Sequence, residues 1–125
     1  MKKLLLLLLL FTSWAEAQTC AERFKFNPTP FAFETVSVST SAIGLTATTY
    51  NPGQGSANAV LAMLSTETDT IRFRLDGTAP TSSVGHQIFS GSFFYICAGD
   101  LSKLTMIRSG ASDVAVSVTY YRAPN

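Results

Sequence analysis

Charged residues are scarce in this chain of 125 residues, where they make up 14% of the sequence against the ~25% typical of a soluble domain. Nine Lys and Arg residues against eight Asp and Glu residues give a formal net charge of +1. The sequence therefore lacks the basic excess with which nucleic-acid-binding proteins neutralise phosphates. A chain of this length also corresponds to one domain, which excludes a large multidomain enzyme.

Residues that carry out catalysis or bind metals are equally scarce. The only histidine is His86, beside Gly85 in a predicted turn, where we interpret it as a structural residue. Two cysteines and one histidine are too few for a four-ligand zinc site, and the sequence has no phosphate-binding or calcium-binding loop. Glu67 and Asp69 fit a solvated loop better than the carboxylate pair of a glycosidase. We therefore predict a protein that is not an enzyme and uses no cofactor or metal.

The one long apolar run lies at the N-terminus. Lys2 and Lys3 precede the run Leu4–Phe11, and the small residues of Ala15–Ala17 follow it. This three-part pattern predicts a cleavable secretory signal over residues 1–17. As a helix the run is about 12 Å long, too short to cross the ~30 Å of a bilayer core, which makes an uncleaved anchor the weaker alternative.

Signal cleavage after Ala17 starts the mature chain at Gln18 and removes the only tryptophan, Trp14. It also brings the formal net charge from +1 to zero. The predicted location is outside the cytoplasm, secreted or periplasmic, with no membrane segment left. In that oxidising compartment Cys20 and Cys97 are predicted to form a disulfide worth about 4 kcal/mol, with two separate buried thiols as the alternative. A lipoprotein is disfavoured because threonine is a poor residue immediately before a lipidated cysteine.

Alternation of apolar and polar residues with a period of two dominates the mature sequence and predicts strands. It is seen at residues 35–40, 43–48, 71–76 and 114–121. Continuous apolar runs at residues 59–64 and 93–97 fit strands that are covered on both faces or lie at a subunit contact. Together with the Gly- and Pro-rich turns between them, these segments predict an all-β, antiparallel, jelly-roll-like β-sandwich of about seven or eight strands.

The entry into the first strand is irregular. Phe31 and Phe33 are out of phase with Val36 and Val38, which predicts a bulge or bend around Glu34 and the residue after it. We therefore predict three parts of the chain: a signal peptide over residues 1–17, an N-terminal arm over residues 18–34 and a single β-sandwich domain over residues 35–125.

Two groups of side chains are candidates for interaction. Arg72 and Arg74 share one face of a predicted strand, where they would bind a carboxylate or phosphate, or else protect the sheet from wrong pairing. The three adjacent aromatics Phe93, Phe94 and Tyr95 must place at least one ring on each face of a strand. An outward ring would serve as a sugar platform or a subunit contact, unless both faces are buried.

The most distinctive stretch is Ile71-Arg72-Phe73-Arg74-Leu75-Asp76-Gly77-Thr78-Ala79-Pro80-Thr81. It resembles the strand and turn of small virion-associated β proteins of tailed bacteriophages, in which an Arg-aromatic-Arg strand runs into Asp-Gly-Thr-x-Pro-Thr. Gly85 and Ile88 fill the later positions of that pattern, and residues 101–110 and 116–122 also look like that group. The resemblance implies a structural, self-associating role without an active site.

The same turn also resembles, more weakly, the hairpins of chitobiase-type C-terminal β-domains of secreted enzymes. In either setting Asp76 and Gly77 form a tight turn in which Gly77 supplies a positive φ, and Pro80 stiffens the exit.

The sequence as a whole predicts a non-enzymatic structural or assembly module that is exported, or virion-associated if the chain is encoded by a phage. Its partner would be a second copy of itself or a coat or surface protein, bound through the faces of its sheets. The alternative is a secreted module that binds carbohydrate or a cell surface, although loss of Trp14 leaves no tryptophan for a sugar platform.

Overall fold

A computed structural model of the chain describes residues 27–53 and 58–124. The predicted signal peptide and Cys20 lie outside the described residues. The strands are β1 (Thr29–Val38), β2 (Leu61–Thr66), β3 (Ile71–Arg74), β4 (His86–Ile88), β5 (Phe93–Cys97), β6 (Thr105–Arg108) and β7 (Val114–Arg122). Two helices of four residues each, α1 (Ala47–Tyr50) and α2 (Ala98–Leu101), complete the described elements.

The strands form two sheets in which every pair is antiparallel. One sheet has four strands in the order β1-β7-β2-β5, and the other has three in the order β4-β3-β6. The prediction of an antiparallel, mostly β protein is therefore confirmed, with seven strands in the part of the chain that the structure describes. None of the helices in this part is long and apolar enough to cross a membrane.

β7 shows most clearly how the sequence pattern builds the core. Val114, Val116, Val118 and Tyr120 are each 0% exposed, whereas the residues between them are exposed or half-buried. β7 lies between β1 and β2, so these side chains occupy the middle of the four-stranded sheet. They belong to a single apolar cluster that also includes buried residues of the three-stranded sheet, such as Ile71 on β3. The core therefore lies between the two sheets.

The predicted irregularity in β1 is present, but its predicted position is wrong. The register of β1 against β7 shifts between Pro30 and Ala32, which makes Phe31 the extra residue. Phe31 and Ala32 both pack against the core, and Phe33 then points outward, 62% exposed. The strand continues without a shift through Glu34, because this residue lies in phase with the buried valines. The β-bulge at Phe31 thus allows both Phe31 and the valines of β1 to face the core.

The carboxylate of Glu34 is tolerated on the inner side of β1 because two groups donate hydrogen bonds to it. The hydroxyl of Tyr120 donates to Glu34 Oε1, and the backbone N–H of Thr46 donates to the same oxygen at 3.1 Å. Tyr120 is fully buried, so its hydroxyl would otherwise lose its hydrogen bonds to water on folding. The pairing ties β7, β1 and the residue before α1 together.

The strand predicted for residues 43–48 is wrong over most of its length. Only Ile43 pairs, in an isolated antiparallel bridge with Met106, and Ala47 already begins α1. Ile43 is 40% exposed, whereas Leu45 packs against the core. The alternation of apolar and polar residues at 43–48 therefore corresponds to a short segment that leaves the sheet after Ile43. β1 begins at Thr29, so the last six residues of the predicted arm, 29–34, belong to a strand of the sheet, and all but Phe31 are paired with β7.

Candidate functional site

The outer face of the four-stranded sheet carries the exposed aromatic side chains that were predicted for the segment Phe93–Tyr95. The register aligns Phe33, Thr119, Met63 and Tyr95 in one row across the four strands. The next row contains Thr35, Ser117, Ser65 and Phe93, and Ser37 faces Ala115 beyond it. We call these ten residues the neutral face, because none of them carries a charge.

Phe93, Phe94 and Tyr95 divide between the two sides of β5. Phe93 and Tyr95 are on the neutral face, 64% and 41% exposed, whereas Phe94 points inward and stacks on Phe73 of β3 at 4.9 Å. Phe33, at the opposite edge of the sheet, is 62% exposed. The two edge strands of this sheet therefore each present an exposed phenylalanine on the same face.

The rings of Phe93 and Tyr95 do not form a flat platform for a sugar. Their centroids are 5.9 Å apart, and their planes meet at 84° in an edge-to-face pair. A sugar stacks on the face of a ring, so two coplanar rings would be needed to hold two neighbouring units. The geometry favours contact with another protein surface over stacking on a glycan chain.

Arg72 and Arg74 both use their guanidinium groups within the chain. Arg72 donates from Nε to the carbonyl oxygen of Ser82 at 2.8 Å and from Nη1 to that of Gly85 at 2.9 Å. Arg74 forms an ion pair with Asp76, including a hydrogen bond from Nε to Oδ1 at 3.1 Å. That hydrogen bond holds the pKa of Asp76 down, to about 2. The two arginines therefore hold the loop between β3 and β4, and two of the three nitrogens of each guanidinium form hydrogen bonds within the chain.

The turn predicted from the distinctive sequence stretch has the expected backbone. Gly77 has φ +79°, and the carboxylate of Asp76 accepts the N–H of Thr78 at 3.0 Å. Pro80 is buried, and Thr105 Oγ1 donates to the carbonyl of Thr78 at 2.8 Å. Together with the bonds of Arg72, these contacts hold the loop over the outer side of the three-stranded sheet. That sheet is thus covered by its own connection.

A second surface feature lies between the edge strands β4 and β5. It is a cleft of about 320 Å³, here called the edge cleft, lined by Phe73, His86, Gln87, Ile88, Phe89, Ser92, Phe93 and Phe94. The ring of His86 lies 5.2 Å from that of Phe73, which in turn stacks on Phe94. Sequence reasoning missed Phe73 and Phe89, because β4 and β5 belong to different sheets and their proximity is a property of the topology.

Of the remaining predicted residues, Asp69 lies in the loop between β2 and β3, and Cys97 lies on the same side of β5 as Phe93 and Tyr95. Asp69 accepts the N–H of Thr70 at 2.7 Å, and in the described ranges no three possible metal ligands come together. Cys97 ends β5 opposite Leu61, and the disulfide stays a prediction because Cys20 lies outside the described residues.

Comparisons of the chain with family models, with curated proteins and with solved structures find no match. The geometry of the two surfaces is therefore the basis for a functional proposal.

Proposed function

We propose that this protein is a non-enzymatic assembly module that associates with a second copy of itself through the neutral face. The observation that carries the proposal is the combination of two properties on one sheet. The face has no charged side chain, yet Phe33 and Phe93 are 62% and 64% exposed on it. Exposed apolar surface of this kind, on a side of the sheet without charges, is typical of a contact between proteins.

The arrangement of the two phenylalanines suits a symmetric pair. Phe33 is on β1 and Phe93 on β5, the two edges of the sheet, with Ser and Thr side chains between them. A two-fold axis parallel to the strands would place β1 of one copy over β5 of the other. Each Phe33 would then meet the partner's β5 edge, so the face is complementary to itself, as an isologous interface requires.

The charge distribution does not oppose this association. The predicted mature chain has a formal net charge of zero once Lys2, Lys3 and Glu16 are removed. A protein without net charge lacks the repulsion that keeps copies apart in solution. The interface would also bury no ion and leave none unpaired, so its stability should depend little on salt.

The size of the face sets the expected strength. Four strands about 4.8 Å apart and about six residues long give a surface of roughly 20 by 20 Å. Two such faces bury roughly 800 Å² in total, which is below the ~1,200 Å² of stable complexes. We therefore expect a dissociation constant in the micromolar range for this dimer.

The order of the strands supports a jelly roll, the finer fold class expected from the sequence. If the bridge between Ile43 and Met106 of β6 is counted as a short strand, the second sheet has four strands in the order β4-β3-β6-bridge. Along the chain, β1, β2, β5 and β7 then lie in one sheet and the bridge, β3, β4 and β6 in the other. This exchange between sheets is the pattern of two Greek keys wound into a jelly roll. Coat proteins and lectins share that fold, so the fold alone does not choose between them.

The proposed place of action is outside the cytoplasm. Residues 1–17 have the pattern of a secretory signal, which supports export to the periplasm or the medium. The resemblance to virion-associated β proteins supports an assembly role as well, and the same neutral face would then contact a neighbouring coat protein in a virion.

Sedimentation equilibrium of the mature protein tests the proposal. We expect a reversible monomer–dimer equilibrium for wild type and a shift toward monomer for Phe33→Ser and Phe93→Ser. The dissociation constant should change little between 0.1 and 1 M salt, because shortening the screening length from about 10 Å weakens only interactions between charges. Phe89→Ser is the matched control, since Phe89 is also 62% exposed but lies off the neutral face.

Two results would overturn self-association through this face. One is a wild-type protein that stays monomeric at high micromolar concentration. The other is a dimer that Phe33→Ser leaves intact while Phe89→Ser dissociates it. Thermal unfolding of each variant shows whether a loss of association is a loss of folding, because substitution of these exposed side chains should leave the midpoint nearly unchanged.

A further inference from the structure

We propose that the edge cleft is a binding site for a single uncharged aromatic ring that carries a hydroxyl group, the chemistry of a phenol. This function goes beyond association through the neutral face, since most of the cleft lies between the two sheets. The proposal rests on the shape of the cleft, on the rigidity of its rim and on the chemical nature of its lining.

The floor and the walls of the cleft are aromatic. Phe73 and Phe94 stack with their centroids 4.9 Å apart and their planes 21° from parallel. Phe89 and Phe93 stand on either side, 62% and 64% exposed. A cleft of about 320 Å³ is at the small end of ligand sites, so one ring fits it better than an extended chain. Offset or edge-to-face contact with several phenyl rings favours an aromatic guest over an aliphatic one.

The rim is held in place by a turn that is bonded to a buried threonine. Thr66, which is 1% exposed, donates from Oγ1 to the carbonyl of Phe89 at 2.9 Å, and its backbone N–H donates to the carbonyl of Ser92 at 3.1 Å. The N–H of Gly91 donates to the carbonyl of Thr66 at 2.7 Å. Phe89 and Phe93 flank this turn, so their backbones are fixed before any ligand arrives. Such preorganisation reduces the entropy that binding must overcome.

The polar groups in the lining select the ligand further. His86, Gln87 and Ser92 carry side chains that can form hydrogen bonds with a hydroxyl. The ring of His86 lies 5.2 Å from that of Phe73. Among the described residues, those that line the cleft include no Lys, Arg, Asp or Glu. A carboxylate or an ammonium would lose water there without gaining a charged partner. The lining therefore matches a neutral ring with a hydroxyl.

The site is tested by titrating isotope-labelled mature protein with p-cresol and following amide chemical shifts by NMR. We expect saturable shifts at residues of the edge cleft. Cyclohexanol, which has the hydroxyl without the aromatic ring, and benzoate, which has the ring with a charge, should each bind at least fivefold more weakly. A capped peptide with one central tyrosine, added in a separate titration, distinguishes a protein side chain from a free phenol as the source of the ring.

Two variants make the result decisive. Phe89→Ala removes one wall and should weaken p-cresol binding at least fivefold. Phe33→Ala, at an equally exposed phenylalanine on the neutral face, should change it less than twofold. Shifts scattered over the surface, equal binding of cyclohexanol, or equal losses in the two variants would overturn the proposal. Phe89→Ala should leave dimer formation unchanged, so failure of this site and failure of self-association give different results.

Discussion

Removing the hydrogen bond between Tyr120 and Glu34 is the strongest single test of which contacts stabilise this fold. Tyr120 is 0% exposed, and its hydroxyl donates to the carboxylate of Glu34, which also accepts the N–H of Thr46 at 3.1 Å. A hydrogen bond to a charged acceptor contributes about 1.5–3 kcal/mol. Glu34 keeps its bond to Thr46 when the hydroxyl is removed, so we expect the lower part of that range for Tyr120→Phe, about 2 kcal/mol.

The same bond makes stability depend on alkaline pH. Burial, followed by the hydrogen bond to Glu34, raises the pKa of Tyr120 far above its ordinary value. The unfolded chain releases the tyrosine proton near pH 10, whereas the folded chain keeps it. The stabilisation is therefore fully present below about pH 10 and is lost as the pH rises further, by up to about 1.4 kcal/mol per pH unit for one proton. Tyr120→Phe should lack this loss.

Urea unfolding of the mature protein at pH 8 and at several values up to pH 11 measures both effects. Tyr121→Phe is the matched control, because Tyr121 is the next residue on β7, is only half-buried and has no side-chain hydrogen bond to the described residues. We expect Tyr120→Phe to lower the free energy of unfolding by about 2 kcal/mol at pH 8, or roughly 8 °C in melting temperature, and Tyr121→Phe to change it by under ~0.5 kcal/mol. Equal stabilities of the two variants, or a difference between wild type and Tyr120→Phe that stays constant above pH 10, would refute the reasoning.

Three further predictions concern the turns and the cysteines. Gly77→Val should destabilise the protein by about 1–3 kcal/mol and His86→Ala by much less, because only the glycine has a positive φ; equal thermal midpoints would contradict the turn. Gly85→Ala should cost more than Gly77→Ala, since a Cβ at Gly85 would lie 3.0 Å from a backbone oxygen and from a proline side chain, whereas Gly77 is open. Intact mass before and after thiol alkylation should show that Cys20 and Cys97 of exported protein take up no label, and two labelled thiols would disprove the disulfide.

Alternation of apolar and polar residues predicted β3 and β7, which lie in the sheets, but the same pattern at residues 43–48 did not correspond to a strand. In β7 every second residue from Val114 to Tyr120 is buried, as the pattern requires. The predicted position of the bulge in β1 was wrong because Phe31 and Phe33 were assigned to one apolar phase, whereas only Phe31 packs against the core and Phe33 points outward. Glu34 lies on the inner side, where Tyr120 and Thr46 satisfy it, and the true shift therefore falls at Phe31. A partner 86 residues away cannot be seen in a local pattern.

The candidate sites were predictable to different degrees. Successive side chains of a strand point to opposite faces of the sheet, so the three adjacent aromatic residues of β5 had to divide between the two faces. Exposure of at least one ring could therefore be predicted. The identity of the second exposed phenylalanine, Phe33, depends on the bulge at Phe31 and was not anticipated as part of a surface. The edge cleft combines residues from β3, β4 and β5, and only the order of strands in the two sheets brings them together.

The outer side of the three-stranded sheet is covered by a loop, whereas the neutral face of the four-stranded sheet is exposed. This difference is the best argument that the neutral face has a partner. Over the three-stranded sheet, Arg72 binds the carbonyls of Ser82 and Gly85, so the loop after β3 covers the strands that it connects. The four-stranded sheet instead exposes Phe33 and Phe93 by 62% and 64% on the neutral face, whose ten described residues carry no charge. Natural sheets usually carry charges where strands and faces meet water, since these discourage association. A chain that uses arginine to hold a loop over one sheet, and leaves the neutral face of the other sheet uncharged, keeps that face suitable for contact. Phe33→Lys should abolish the contact while leaving the fold intact.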